Sequence, residues 1–182
     1  VVTKEMLEEI KPDALIVAIG SSPFVLSIEG SERAIVAHDV LSEKVEVPGE
    51  NVVIIGGGLV GFETAEFLAA RQKKVTVLEM KEKALQDLGP LRQITAQFVM
   101  AQMPITIETS ATVERIDDHA VVASGKEYPY DSVIMAVGSK ANDTSMYADL
   151  DIPTYIVGDC KKAGVALDAF KDAYHAVLEI NK

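Results

Sequence analysis

The sequence predicts an α/β fold, in which one lobe is built on a parallel sheet with a small antiparallel β-meander and is joined by remnants of a second, incomplete lobe. Asp13-Ala-Leu-Ile-Val-Ala-Ile-Gly-Ser21 and Asp131-Ser-Val-Ile-Met-Ala-Val-Gly-Ser139 nearly copy each other. Each is an apolar run of buried-strand character that ends in a glycine, where the chain must turn or admit a close neighbour. Between them lies one glycine cluster, Gly56-Gly-Gly-Leu-Val-Gly61, preceded by an apolar run and followed by a helical one. Two closing strands with a single opening motif read as the later part of a larger arrangement of two such units.

Taken in order, Thr3 to Lys11 has Met6, Leu7 and Ile10 at helical spacing, and Pro12-Asp13 stops that helix before a strand over Ala14 to Ala18. Residues 21–50 are punctuated by Pro23, Gly30 and Pro48-Gly49, and read as loop and crossover linker with a lobe boundary near residue 48. Val52 to Ile55 is a continuous apolar strand. Leu59 to Arg71 is a helix with Phe62, Ala65 and Leu68-Ala69 along one side, and Val75 to Leu78 closes a βαβ unit. After Gly89-Pro90, the residues Leu91, Ile94, Phe98 and Ala101 form a further helical stripe, with proline tolerated in the first turn. Ile105 to Ile107 is the next strand. Turn signals at Asp117-Asp118 and Ser124-Gly125 divide residues 112–130 into an antiparallel meander ahead of the strand Val133 to Val137. The tail holds a strand over Thr154 to Val157, a turn at Gly158-Asp159, and a helix from Gly164 to about Ile180 with Ala166, Phe170, Ala173 and Val177 at near-helical spacing. The expected division is 1–47 as a partial outer lobe with linker, 48–140 as a complete lobe, and 141–182 as the rest of the outer lobe.

At 182 residues, 48% hydrophobic and 25% charged, the chain can build one full core with a smaller second lobe. A formal charge of −11 repels phosphate backbones and anionic lipid, which argues against nucleic acid and membrane surfaces as partners. One cysteine, Cys160, leaves no internal disulfide or multi-cysteine metal site and reads as a buried or idle thiol. His38, His119 and His175 have no metal-ligand spacing, and Lys161-Lys162 reads as solvated surface. No run approaches a membrane span, and residues 1–20 lack a basic start with a cleavage site. A cytoplasmic protein is the expectation.

The chemistry is carried by the glycine cluster. Gly56 permits the tight strand-to-helix turn, Gly58 lets backbone approach a pyrophosphate, and Gly61 lets helix and strand pack closely. The helix start at Leu59 and Val60 offers free N–H groups and about half a unit of positive charge to that anion, so an acidic chain can still hold phosphate. A bare G-x-G-x-x-G spacing is a weak signal. Here a strand precedes it, a helix follows, and the second strand ends in an acid, Glu79, 18 residues after Gly61. A carboxylate there accepts hydrogen bonds from both adenosine ribose hydroxyls and repels a 2′-phosphate, so the sequence predicts a Rossmann-like lobe that binds NAD(H) in preference to NADP(H). Met80 and Lys81 flank that acid, and no arginine stands beside it to grip a 2′-phosphate.

Gly56 to Ala65 (Gly-Gly-Gly-Leu-Val-Gly-Phe-Glu-Thr-Ala), the paired Ala-Ile-Gly and Ala-Val-Gly strand ends, and Val157-Gly158-Asp159-Cys160 resemble the two-dinucleotide-domain flavoprotein reductases over nearly the whole chain. Within that superfamily, the Val-Gly-Asp-Cys run followed by Leu167-Asp168-Ala169 looks most like the C-terminal region of the old-yellow-enzyme-like NADH:flavin oxidoreductases, of the 2,4-dienoyl-CoA reductase, enoate reductase and trimethylamine dehydrogenase type. The resemblance implies an FMN-bearing barrel and an iron-sulfur cluster upstream, then an FAD lobe into which the NAD(P)H lobe is inserted. It implies that Gly56, Gly58 and Gly61 hold the pyrophosphate, that Glu63 lies near the nicotinamide ribose, and that Gly138 lines the same cleft. It also implies that Gly20 sits on the FAD side and that Gly158-Asp159 meets the flavin ribityl chain. The sequence departs from the family by lacking the first glycine fingerprint, the barrel and the cluster cysteines.

The expected function is therefore the nucleotide-binding part of an NADH-dependent flavin oxidoreductase. Its cofactors carry the hydride chemistry, no catalytic side chain or metal is required, and the chain alone is inactive. Its expected partners are the nicotinamide dinucleotide, upstream flavin domains of a parent chain, and copies of itself through the incomplete lobe. The alternative is a stand-alone NAD-binding or sensing module without electron transfer. A short-chain dehydrogenase is disfavoured, since none of Tyr128, Tyr130, Tyr147, Tyr155 and Tyr174 has a lysine four residues on.

Overall fold

The computed structural model describes residues 2–86 and 88–181. In chain order its helices and strands are α1 (Lys4–Ile10), β1 (Leu15–Val17), β2 (Ser21–Pro23), β3 (Ile35–Val36), α2 (Ala37–Leu41), β4 (Asn51–Ile55), α3 (Leu59–Ala69), β5 (Lys74–Leu78), α4 (Pro90–Gln102), β6 (Ile105–Glu108), β7 (Val113–Ile116), β8 (Ala120–Ala123), β9 (Lys126–Pro129), β10 (Ser132–Met135), β11 (Ser139–Ala141), β12 (Thr154–Ile156) and α5 (Ala166–Ile180). They fall into two compact units, Val1–Ser22 with Ser139–Lys182, and Pro23–Gly138.

The larger unit is a parallel five-stranded sheet in the order β3-β10-β4-β5-β6. Ile54 of β4 stands beside Ile134 of β10 and Val77 of β5, so the three strands are in register at their centre. β4 buries four successive residues, Val52 to Ile55, because both sheet faces are covered. On one face Ala65, Leu68 and Ala69 of α3, with Ala37 and Val40 of α2, pack against Val52, Ile54, Val75, Val77 and Ile134. On the other, Val53, Ile55, Val133 and Met135 meet Ile116, Val121 and Ala123 of the meander. The α3 side expected to face inward does so: Phe62, Ala65, Leu68 and Ala69 are all buried. Removing a side chain the size of Phe62 from water is worth about 1.5–3 kcal/mol.

The structure corrects the sequence reading in two places. Residues 21–50, which read as loop and linker, contribute β3 and α2 to this unit. Ile35 and Val36 pair with Ile134 and Met135 along the outer edge of β10, and Ala37 and Val40 enter the core. A two-residue strand followed by five helical residues is too short to show a period. The α4 stripe also points the other way. Leu91, Ile94 and Phe98 are 76%, 52% and 65% exposed, while Ala96 is buried and Val99 and Met100 pack partly inward. The small Ala96 lets α4 approach Phe62, and Arg92 pairs with Glu66 of α3. That contact fixes the rotation of α4 about its own axis.

In the smaller unit β1 and β12 pair directly and in parallel, Ile16 beside Tyr155. Its core is Leu7, Val17, Tyr147 and Cys160, with Leu15 and Leu150 packed against them. Thr3 caps α1 by accepting the Met6 N–H, and Lys11 ends that helix in a left-handed conformation. Along α5, Ala176 is buried while Phe170, Tyr174 and Val177 are exposed.

Candidate dinucleotide-binding site

β4 ends at the point where the sheet order reverses, with β5 and β6 on one side and β10 on the other. In open α/β sheets this crevice, outside the carboxyl ends of the strands, is where ligands bind. Gly56 makes the turn with φ +110, and a Cβ there would lie 2.4 Å from the Ala136 carbonyl oxygen. The turn is tied to both neighbours: the Gly56 N–H donates to Leu78 O at 2.9 Å, and the Ala136 N–H donates to Ile55 O at 2.8 Å.

Gly58 is extended and forms the N-cap of α3, its carbonyl accepting the Phe62 N–H at 3.0 Å. Among the described residues no side chain caps this end, and the first turn holds no acid. The N–H groups of Leu59, Val60 and Gly61 therefore face the crevice with the positive end of the helix dipole behind them. Gly61 sets how closely α3 approaches, since a Cβ at that position would stand 1.9 Å from Gly56 O.

Glu79 follows β5 directly and is buried. Its Oε2 accepts the Gly57 N–H and its Oε1 accepts the Lys81 N–H, both at 2.8 Å. Each carboxylate oxygen keeps further acceptor capacity, so the group can brace the glycine loop and still receive hydroxyl donors. The backbone under it is anchored by the end of β6: the Glu79 N–H donates to Glu108 O, Ala111 N–H to Glu79 O, and Ser110 N–H to Lys81 O, all at 2.9 Å. Met80 and Lys81 are exposed beside it.

Gly56, Gly58, Leu59, Val60, Gly61, Glu79, Met80 and Lys81 thus lie along two adjoining loops, joined by the Gly57–Glu79 hydrogen bond. Glu63 is the fifth residue of α3, exposed and beyond the first turn. Gly138 lies two residues beyond Ala136 with φ +98, and nothing stands within 4 Å of a Cβ built there. Its requirement for glycine is conformational, not spatial.

Sequence reasoning missed a third loop. The Leu85 N–H donates to Gly57 O at 2.9 Å, and Gln93 Nε2 on α4 donates to Leu88 O at 2.9 Å and Leu85 O at 3.3 Å. Leu85 itself has φ +61. Nothing in the sequence marks a leucine for that conformation or singles out Gln93 among the polar residues of a helix.

The remaining candidates belong to the smaller unit. Gly20 and Gly158 both have positive φ, and Gly158 opens a 3-10 turn through Cys160. The Asp159 carboxylate accepts from Ser21 Oγ at 3.0 Å and from the Gly164 N–H at 3.3 Å. Asn142 Nδ2 donates to Ile19 O at 2.8 Å, and Ser22 Oγ donates to Asn142 Oδ1 at 2.6 Å. Cys160 is buried with its thiol on the carbonyls of Val17 and Val157. Lys161 is exposed, as solvated surface should be, and pairs there with Asp172 at 2.5 Å, holding that carboxyl below its ordinary range with help from the Gly158 N–H. Among the described residues no group of His, Cys, Asp or Glu is arranged to hold a metal, and no helix is long and apolar enough to cross a membrane.

A family model described as pyridine nucleotide-disulphide oxidoreductase matches residues 1–165. The chain is 35% identical over 188 residues to cinnamate reductase of Clostridium sporogenes, covering 98% of this chain and 28% of that protein. It is 32% identical over 189 residues to an NADH oxidase of Thermoanaerobacter brockii, covering 97% and 29%. Among solved structures, 2-naphthoyl-CoA reductase in complex with 2-naphthoyl-CoA matches with a TM-score of 0.85 at 31% identity, covering 96% of this chain and 28% of that one. The chain spans less than a third of the length of each of these proteins.

Proposed function

The chain belongs to the pyridine nucleotide-disulphide oxidoreductase family, and from that premise we propose that its larger unit binds NADH in a flavin oxidoreductase of the old-yellow-enzyme-like type. One observation carries the reading. A glycine turn at the sheet's reversal point, with no room for a Cβ at Gly56 or Gly61, places the uncapped N-terminus of α3 beside a buried carboxylate, Glu79. The cradle fits a pyrophosphate bridge because backbone N–H groups, not cationic side chains, supply the attraction. Leu59, Val60 and Gly61 donate to the phosphates, and Glu79 accepts from the adenosine ribose hydroxyls. Met80 and Lys81 border the adenosine end, while Glu63 and Gly138 border the nicotinamide end.

The smaller unit supplies part of an FAD site. Gly20 and the Gly158-Asp159 turn would hold the flavin, with Asp159 as the acceptor for its ribityl chain. When bound, NADH would supply a hydride and FAD would accept it; the residues of this chain would hold each cofactor in its own unit. The names of two relatives, cinnamate reductase and NADH oxidase, support a parent oxidoreductase that draws on NADH; in this reading its electrons pass on to FMN and iron-sulfur centres upstream. Without such centres this chain binds nucleotide and does not turn over.

Fluorescence titration tests the reading. NADH is expected to bind at least about tenfold more tightly than NADPH, because a 2′-phosphate would meet the Glu79 carboxylate. Glu79→Gln, which keeps shape and removes charge, narrows that ratio. Equal affinity for the two nucleotides, or tighter NADPH, would overturn the assignment of Glu79.

A further inference from the structure

We propose that Gln93, remote in sequence from the glycine loop and on a different helix, is a positioning residue that sets the orientation of the Gly57–Gly58 peptide and through it the affinity for the dinucleotide. The inference rests on the reading of the larger unit as a nucleotide site.

A peptide unit is planar and trans, so its C=O and the following N–H point in opposite directions. Gly57 O is held by the Leu85 N–H. That bond turns the Gly58 N–H away from Leu85, and Gly58 is the N-cap residue from which α3 starts. Glycine at both 57 and 58 gives this peptide more rotational freedom than any other pair would, so its direction has to be fixed from outside. The preceding peptide is fixed separately, by the Gly57 N–H on Glu79 Oε2. The two clamps meet at one residue.

The second clamp needs its own support. Leu85 holds a left-handed conformation, φ +61, which is unfavourable for a non-glycine residue. The Gln93 amide opposes that cost. Both of its hydrogens are used, on Leu88 O and Leu85 O, tying Leu85 and Leu88 to the first turns of α4. Loss of those donors frees Leu85 to relax and withdraws its N–H from Gly57 O. Arg92, the preceding residue of α4, acts elsewhere, pairing with Glu66 and lying over the Phe62 ring so that it joins α4 to α3.

The decisive variant is Gln93→Glu, which has the same size and similar helix propensity but sets a carboxylate against two carbonyl oxygens. Gln93→Leu removes the donors without adding charge. In nucleotide-free protein, both variants are expected to raise amide hydrogen exchange at Leu85 by about tenfold or more, while the Gly57 amide on Glu79 and the amides of β4 and β5 stay protected. NADH affinity is expected to fall by about threefold to tenfold, with the NADH to NADPH ratio unchanged. Arg92→Ala is the control, loosening α3 and α4 without selective exchange at Leu85. If Leu85 keeps wild-type protection, or loses it only together with the core strands, Gln93 has no positioning role. Wild-type affinity for NADH in Gln93→Glu also overturns the proposal while sparing the nucleotide site. Wild-type protein that ignores NADH overturns the site and, with it, this use of the clamp.

Discussion

Ala14 to Gly20 and Ser132 to Gly138 are near-copies in sequence, and the molecule treats them differently. Ser132 to Met135 is buried at every position, flanked by β4 on one side and β3 on the other. Leu15 to Val17 has one partner, β12, and of its three residues only Val17 is buried. Yet both copies end alike, in a glycine with positive φ and open space where a Cβ would go, +74 at Gly20 and +98 at Gly138. An apolar run therefore sets the strand and its closing turn locally, while its burial, and hence its energetic weight, comes from the strands and helices around it.

The sharpest way to break this comparison is to empty the same position in both copies. Ile134→Ala, at a fully buried site, is expected to cost about 2–5 kcal/mol. Ile16→Ala, at 43% exposure, is expected to stay within roughly 0.5–1 kcal/mol. Urea denaturation of the two variants measures both, and similar losses would mean that neighbours do not set the difference. At the closing turns the expectation reverses. Gly138→Ala and Gly20→Ala should each cost about 1–2 kcal/mol, because backbone conformation alone is at issue in both; a large inequality would reveal a spatial role for one of them.

The smallest expected effect separates the aspartates that begin each copy. Asp131 accepts the Asn51 and Glu50 N–H groups at 2.8 and 2.9 Å, which holds its carboxyl below the ordinary range. A carboxyl lowered in the folded state contributes stability above its unfolded value, about 3.9, and that contribution disappears as pH falls through the folded value. Asp131→Asn should therefore shallow the acid limb of a stability profile below about pH 4. Asp13 accepts no such backbone hydrogen bonds among the described residues, so Asp13→Asn serves as the control. Acid titrations followed by circular dichroism would show whether the two diverge.

Much of the fold was legible because its signals are local. The β4-turn-α3-β5 run has an apolar strand, glycines where a Cβ would strike Ala136 O or Gly56 O, and an inward helical side at Phe62, Ala65 and Leu68. The meander was marked by its turn residues. The rotation of α4 was not legible: period 3.6 shows that Leu91, Ile94 and Phe98 share a side but not that Ala96 on another side makes the close contact. The pairing of Ile35 and Val36 with β10 was hidden by their brevity. In the candidate site, Glu79 and the glycines could be found by spacing, whereas the hydrogen bonds that link Gly57 to Glu79 and Leu85, and Leu85 to Gln93, join residues 8 to 28 positions apart in no recognisable pattern.

The central claim is that the start of α3 and the Glu79 carboxylate grip one dinucleotide. Amide chemical-shift changes during an NADH titration test it most directly. Saturable shifts are expected at Gly58 to Gly61 and at Glu79 to Lys81, with the meander amides of β7 to β9 unmoved. Saturating NADH that leaves Leu59, Val60 and Gly61 at their free positions would contradict it.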